Sequence, residues 1–132
     1  ASDYSIALTG AEIKLSELAI GIGPFVIGPA MERKIGSSCF SQLAIDACSW
    51  RTAEWAKSRG LYSEVHTTNE QMDESIARIV NQLSHSNPHA MKEMKKMFWE
   101  GTSHWDQLLA ERAKVSGKLV AGEFAQKAIR KG

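Results

Sequence analysis

Ala53-Glu54-Trp55-Ala56-Lys57-Ser58-Arg59-Gly60-Leu61-Tyr62-Ser63-Glu64-Val65 reads as a short helix, a stop and an extended return. Residues 52–59 form the helix, and Gly60 stands just past its end, where a left-handed residue closes the last turn. Ala53 and Ala56 lie three apart on one helical face, which suits close packing against a neighbour. Leu61 to Val65 then predicts a short strand. This is the one small extended segment in a chain that otherwise reads as helical from about Val26 onward.

Downstream, Thr68 with Gln71 gives a capping-box start to a long helix. Met72, Ile76, Ile79, Val80 and Leu83 make its apolar stripe at a 3.6-residue period. Asn87-Pro88 opens the next helix, since proline is best tolerated in a first turn. Gly101 ends it. Ser103 with Asp106 opens another, containing Trp105, Leu108, Leu109 and Val115, and a last helical stretch covers 118–131. Upstream, 26–35 is a short helix closed by Gly36, and Ser37 or Ser38 caps the next, which runs to Ala47. Before these the period changes. Tyr4-Ser5-Ile6-Ala7-Leu8 alternates like a strand, Thr9-Gly10 turns, and Glu12-Ile13-Lys14-Leu15 alternates again. Gly21, Gly23 and Pro24 mark a loop where the backbone bends or approaches something closely. Two short strands are too few for a sheet of independent stability. They read as the edge of a sheet whose other strands come from elsewhere, which hints at truncation.

The totals exclude several classes. The chain has 132 residues, 43% hydrophobic and 23% charged, with a formal net charge of +1, so no global field directs it to nucleic acid or an anionic membrane. No apolar run reaches the roughly 18–20 residues of a spanning helix. The first residues carry neither the basic start nor the apolar stretch of a signal peptide. Cys39 and Cys48 fall on opposite faces if they share a helix, which argues against pairing and for a reduced, cytoplasmic setting. His66, His85, His89 and His104 make no metal-ligand pattern, because Pro88 starts a helix between His85 and His89. The Met91, Met94 and Met97 spacing suggests core. Lys92, Lys95 and Lys96 suggest a solvated face, and Trp99 and Trp105 a packed corner about Gly101.

Four segments, in order, carry a family resemblance. They are Ala1-Ser2-Asp3-Tyr4-Ser5-Ile6-Ala7 with Leu15-Ser16-Glu17-Leu18-Ala19-Ile20-Gly21, then Pro24 through Arg33-Lys34-Ile35-Gly36, then the 53–65 stretch, then 83–90 followed by Lys92 or Lys95. Together they resemble the C-terminal half of the crotonase family, the enoyl-CoA hydratases and isomerases. The resemblance implies an α/β fold, a ββα spiral core in the intact protein, of which this piece is mostly α-helical with two short N-terminal strands. Residues 1–36 would be the end of that core with the active-site loop. Residues 37–132 would be a helical region for oligomerisation, as a trimer or a dimer of trimers.

Family members bind acyl-CoA thioesters and stabilise an enolate-like oxyanion with two backbone N–H donors, a large contribution in such sites. In the hydratases two glutamates act as general base and general acid. Glu17 matches the second glutamate, placed at the end of the second strand. Gly23, Pro24 and Phe25 match the substrate pocket. Two departures stand out: Ser16-Glu17 replaces the family's Pro-Glu, and Phe25 occupies a frequent glycine. The latter implies a narrower acyl pocket and a likeness to methylglutaconyl-CoA hydratases. Phe124 and Lys127 are the nearest candidates for residues that reach coenzyme A in a neighbouring subunit, although the family's Glu-Gly followed by Ala-Phe is not legible there. Coenzyme A would arrive as part of the substrate, with no separate cofactor and no metal.

Both oxyanion donors and the first glutamate precede the segment matched by Asp3 in the family. The chain alone is therefore expected to be inactive, and the intact enzyme to hydrate a 2-enoyl-CoA. An isomerase of the same family is the near alternative. A non-catalytic assembly module is the alternative from another class.

Overall fold

The computed structural model describes residues 2–130. In chain order it has β1 (Ile6–Leu8), β2 (Glu12–Ile13), a 3-10 turn (Glu17–Ile20), α1 (Gly28–Ile45), β3 (Arg51–Thr52), α2 (Ala53–Ser58) and β4 (Glu64–His66). Four helices follow: α3 (Asn69–Ser84), α4 (Pro88–Phe98), α5 (Trp105–Val120) and α6 (Glu123–Ile129). This is the expected mostly helical architecture with short strands at its N-terminal side.

The alternation at residues 4–8 yields β1, which buries Ala7. Its partner is β4, parallel, with Ile6 opposite Glu64, Ala7 opposite Val65 and Leu8 opposite His66. A parallel pair needs a long crossover rather than a hairpin, and everything from β2 to α2 forms it. Within that crossover β2 pairs antiparallel with β3, Glu12 opposite Thr52 and Ile13 opposite Arg51. The two short strands seen in the sequence therefore belong to two separate two-stranded sheets. β3 has no signature of its own, being two residues long and set by its partner. Thr52 does double duty there, since its Oγ1 also accepts from Trp55 N at 3.1 Å and caps α2.

α1 breaks at Gly36, whose φ of 75° and ψ of 161° are non-helical, as the two-helix reading requires. Leu15, Ile35 and Leu43 form the core, with Ile13, Met31, Cys39, Phe40, Trp55 and Leu61 packed around them. Ala53 and Ala56 are fully buried, which lets α2 lie close to its neighbours. Gly60 turns the chain with φ 83°, and a Cβ there would sit 3.2 Å from the Lys34 carbonyl oxygen. The Thr68–Gln71 capping box forms as expected, with Thr68 Oγ1 accepting from Gln71 N at 3.2 Å. The Asn87 carboxamide oxygen caps α4, accepting from His89 N at 2.9 Å. Trp99 and Trp105 meet edge to face with centroids 5.8 Å apart.

Four expectations change. α5 is flanked by His104 rather than Ser103, and no side chain caps it. The last helical stretch is two pieces, the end of α5 and then α6 after Gly122; its expected end at Lys131 lies outside the described residues. Met94 and Met97 are 48% and 61% exposed. They are not core: Met94 lines an open groove with Tyr4, Ile79, Leu83, Met91 and Phe98, and Met97 is more exposed still. Lys95 stays exposed with the other lysines of that face but also pairs with Asp3, a contact the sequence did not suggest. Asp3 also accepts from Trp99 Nε1 at 2.6 Å, across 96 residues of sequence, and so ties the N-terminal segment to the end of α4. The Lys95 hydrogen bond, with lesser help from Trp99, holds the Asp3 carboxyl below its ordinary range.

Candidate active site

The segment carrying Glu17, Gly23, Pro24 and Phe25 begins where Leu15, buried in the core, pins the end of the second extended stretch. The chain then tightens into the 3-10 turn with Glu17 as its first residue, rather than leaving Glu17 at a strand end. Gly21 N–H donates to the Leu18 carbonyl at 3.0 Å and Ile22 N–H to the Glu17 carbonyl at 2.9 Å. Gly21 closes the turn at φ 77°, in the left-handed region where L side chains are strained.

Glu17 is half-buried. Its Oε2 is shielded from solvent and accepts no hydrogen bond, and it is alone in this among side-chain polar atoms of the described residues. A buried acceptor without a partner costs roughly 1–3 kcal/mol, so such atoms are scarce in folded proteins. A carboxylate oxygen in that condition can orient a water or exchange a proton with a bound molecule.

The loop beyond Gly21 is folded on itself. Phe25 N–H donates to the Gly23 carbonyl at 2.8 Å, a three-residue turn. The Phe25 ring lies over Gly23, where an added Cβ would stand 2.6 Å from Cζ. A side chain at Gly23 would make the Phe25 ring shift, and Phe25 fills space beside the loop.

Two C-terminal helices hold this segment at its ends. From α6, Phe124 lays its ring on Gly21: an added Cβ would land on Cδ1, with Cε1 at 3.0 Å. From α5, Arg112 Nη1 donates to the Phe25 carbonyl oxygen at 3.3 Å. The same nitrogen lies 3.0 Å from the position of a Cβ on Gly28, and Phe40 Cζ lies 3.2 Å from it.

Of the residues singled out in the sequence, Glu17, Gly23, Pro24 and Phe25 share one continuous segment, and Phe124 is brought onto it. Phe124 meets the chain's own turn, while the residue as a whole is 70% exposed. Lys127 is not brought in; it is exposed and pairs with Glu123 at 3.4 Å along its own helix. Arg112 and Gly28 went unread in the sequence. Gly28-Pro29 at a helix start was a usable signal for a close approach, whereas Arg112 had none, because its partner is 87 residues away.

A second polar cluster centres on Glu64. Tyr4 Oη and Ser75 Oγ donate to its carboxylate, His66 Nε2 lies 2.7 Å from Oε2, and Arg78 Nη2 donates to Oε1 at 2.7 Å. These bonds, Ser75's foremost and then those of Tyr4 and His66, lower the Glu64 pKa to about 2. The cluster joins the segment before β1, the strand β4 and the helix α3, and lies apart from the Glu17 turn in sequence and in contacts.

The overall arrangement is that of known acyl-CoA enzymes. An enoyl-CoA hydratase from Bacillus halodurans superposes with a TM-score of 0.89 at 21% identity, over 98% of this chain and 52% of that one. An enoyl-CoA hydratase from Mycobacterium avium gives 0.86 at 18% identity, over 96% and 49%. A carnitinyl-CoA dehydratase from Mycobacterium avium 104 gives 0.77 at 19% identity, over 98% and 52%. This chain therefore spans about half the length of the solved structures it resembles. No curated protein sequence matches it. Over residues 1–132 the sequence matches the enoyl-CoA hydratase/isomerase family, and the chain belongs to that family.

Proposed function

We propose that this chain supplies one acid–base carboxylate, Glu17, and one wall of the acyl pocket to an enzyme that hydrates a 2-enoyl-CoA thioester. The observation that carries the reading is the shielded, unpartnered Oε2 of Glu17, in the turn that leads into the Gly23–Pro24–Phe25 loop. Hydration needs a base to take a proton from water as its oxygen attacks C3, and an acid to return a proton at C2. The enolate oxygen formed between these steps needs N–H donors. Glu17 provides one of the two carboxylates. The donors and the second carboxylate are not among the residues matched here, so the 132-residue chain by itself is proposed to be inactive. Coenzyme A enters as part of the substrate, and the reaction asks for no further cofactor and no metal.

Phe25, seated over Gly23, supports a narrowed pocket and, within the family, a methylglutaconyl-CoA-like substrate. The exposed apolar side chains Val115, Leu119, Val120 and Ile129 of α5 and α6 support self-association, as a trimer or a dimer of trimers. The half-buried Cys39 and exposed Cys48 are both free thiols, in keeping with a reduced, cytoplasmic setting. No helix among the described residues is long and apolar enough to cross a membrane.

The test is turnover of 2-enoyl-CoA by the full-length enzyme with and without Glu17→Gln, followed by loss of the conjugated thioester absorbance. A drop of about 10²–10⁴-fold in kcat is expected for loss of a general acid–base residue. Unchanged hydration would remove Glu17 from the mechanism. A double-bond shift from a 3-enoyl-CoA, abolished by the same substitution while hydration is absent, would establish the isomerase instead. A clean oligomer of the 132-residue chain that binds no acyl-CoA would favour the assembly-module reading for this piece.

A further inference from the structure

The loop between Gly21 and Gly28 carries the residues that would shape the acyl pocket, yet local interactions alone do not fix its far end. Phe25 makes its own turn through its N–H to Gly23, and its carbonyl oxygen accepts from Arg112 of α5. Arg112 is partly buried, and among the described residues no carboxylate forms an ion pair with it. The guanidinium is half-buried, and among the described residues its one hydrogen bond to the protein is the 3.3 Å bond to that oxygen. Its nitrogen also fills the space a side chain would take at Gly28, the first residue of α1. The guanidinium is thus wedged between the last residue of the turn and the start of the helix that follows. Moving it frees the Phe25 carbonyl and opens the gap at Gly28 together.

We propose that Arg112 is a positioning residue that sets the place of Phe25 and thereby the acyl-chain selectivity of the pocket. The selectivity part rests on the reading of Gly23, Pro24 and Phe25 as pocket residues; the contact itself does not. The geometry gives the mechanism: Arg112 holds the Phe25 carbonyl, the backbone of Phe25 carries the ring, and the ring over Gly23 limits the space beside the loop. Arg112 need not touch substrate to change which acyl chain fits. Small displacements of this kind matter, since a shift of about 1 Å in a positioned group can cost on the order of 100-fold in rate.

The experiment compares the unaltered full-length enzyme with Arg112→Met, Arg112→Lys and Gly28→Ala. Two readouts are taken: amide hydrogen exchange across residues 21–28, with α3 as internal reference, and kcat and KM for a short and a long 2-enoyl-CoA. Arg112→Met is expected to speed exchange in 21–28 by about tenfold while α3 keeps its protection, as local opening does. It should also change the long-to-short ratio of kcat/KM by roughly tenfold, chiefly through KM, the scale of one lost charged hydrogen bond. Arg112→Lys retains a cationic donor and should recover part of both effects. Gly28→Ala pushes on the guanidinium and should shift both readouts in the same direction by less. Unchanged exchange in 21–28 would overturn the positioning role. So would exchange rising equally in α3 with no rescue by lysine, which marks a merely structural residue. Altered loop exchange with an unaltered chain-length ratio in an active enzyme would overturn the selectivity claim. If the unaltered enzyme turns over no enoyl-CoA while the loop responds and lysine rescues, the hydratase reading falls and Arg112 still positions the loop.

Discussion

Gly21→Ala should destabilise the protein, and most of what it loses beyond backbone strain should vanish when Phe124 is already absent. At φ 77° an alanine pays about 1–2 kcal/mol in left-handed strain. Its Cβ would also land on the Phe124 ring, with Cε1 at 3.0 Å and Cγ at 3.3 Å, so the ring must swing off. Phe124 is 70% exposed and hides under a third of its surface. For a side chain that can bury roughly 150–250 Å², that fraction contributes about 1–2 kcal/mol at 25 cal/mol per Å². Gly21→Ala is then expected to cost about 2–4 kcal/mol, strain plus the lost ring contact, and Phe124→Ala about 1–2 kcal/mol. The double variant should cost no more than Gly21→Ala alone, a coupling of about 1–2 kcal/mol. Urea unfolding followed by far-ultraviolet circular dichroism would measure all four proteins, with midpoints moving and slopes held constant. Additivity to within about 0.5 kcal/mol would mean that the ring does not rest on Gly21, and the link between α6 and the Glu17 turn would fail with it.

Glu17→Gln should leave stability unchanged or raise it slightly in thermal unfolding, because it replaces a shielded, unpartnered carboxylate with a neutral amide; a clear loss would mean that Oε2 has a partner. Glu64 has a folded pKa of about 2, below its ordinary 4.5, so its contribution is present above pH 4.5 and is lost as pH falls from there toward 2. Stability curves of the wild-type protein and Glu64→Gln should therefore converge across that window, and parallel curves would exclude the Ser75–Tyr4–His66 cluster as the cause. Thr68→Ala removes one half of the capping box and should cost about 1 kcal/mol, with Thr68→Ser close to neutral by midpoint shift in urea.

What could be read from the sequence was what short-range chemistry writes there. The Thr68–Gln71 box, the Asn87-Pro88 start and the stops at Gly36, Gly60 and Gly101 all act within four residues, and each appears in the structure. The Ala53–Ala56 face was legible for the same reason. Illegible features share a different character. β3 exists only because β2 lies beside it. Met94 and Met97 have the spacing of a core stripe, but burial depends on whether another element covers the face. Asp3 finds Trp99 and Lys95 more than ninety residues away. The candidate site divides along the same line: Glu17, Gly23, Pro24 and Phe25 are contiguous and could be named, whereas Arg112 and the seat of Phe124 on Gly21 required the fold.

That division bears on how the site is held. A carboxylate with one shielded, unpartnered oxygen is a local violation of hydrogen-bond accounting, and the other shielded side-chain polar atoms of the described residues all have partners. Such a cost persists only where surrounding structure over-determines the residue. Here the determination comes from three directions. Leu15 anchors the incoming chain in the core, Phe124 presses on the glycine that closes the turn, and Arg112 holds the outgoing loop at Phe25. Two of those three supports belong to α5 and α6, far along the sequence from Glu17. Helices assigned to assembly on sequence grounds are therefore also part of what keeps the Glu17 turn in place. Perturbing their packing, by substitution or by association with another copy, should reach the Glu17 turn and its loop through Gly21 and Phe25 before it reaches the buried core at Leu43.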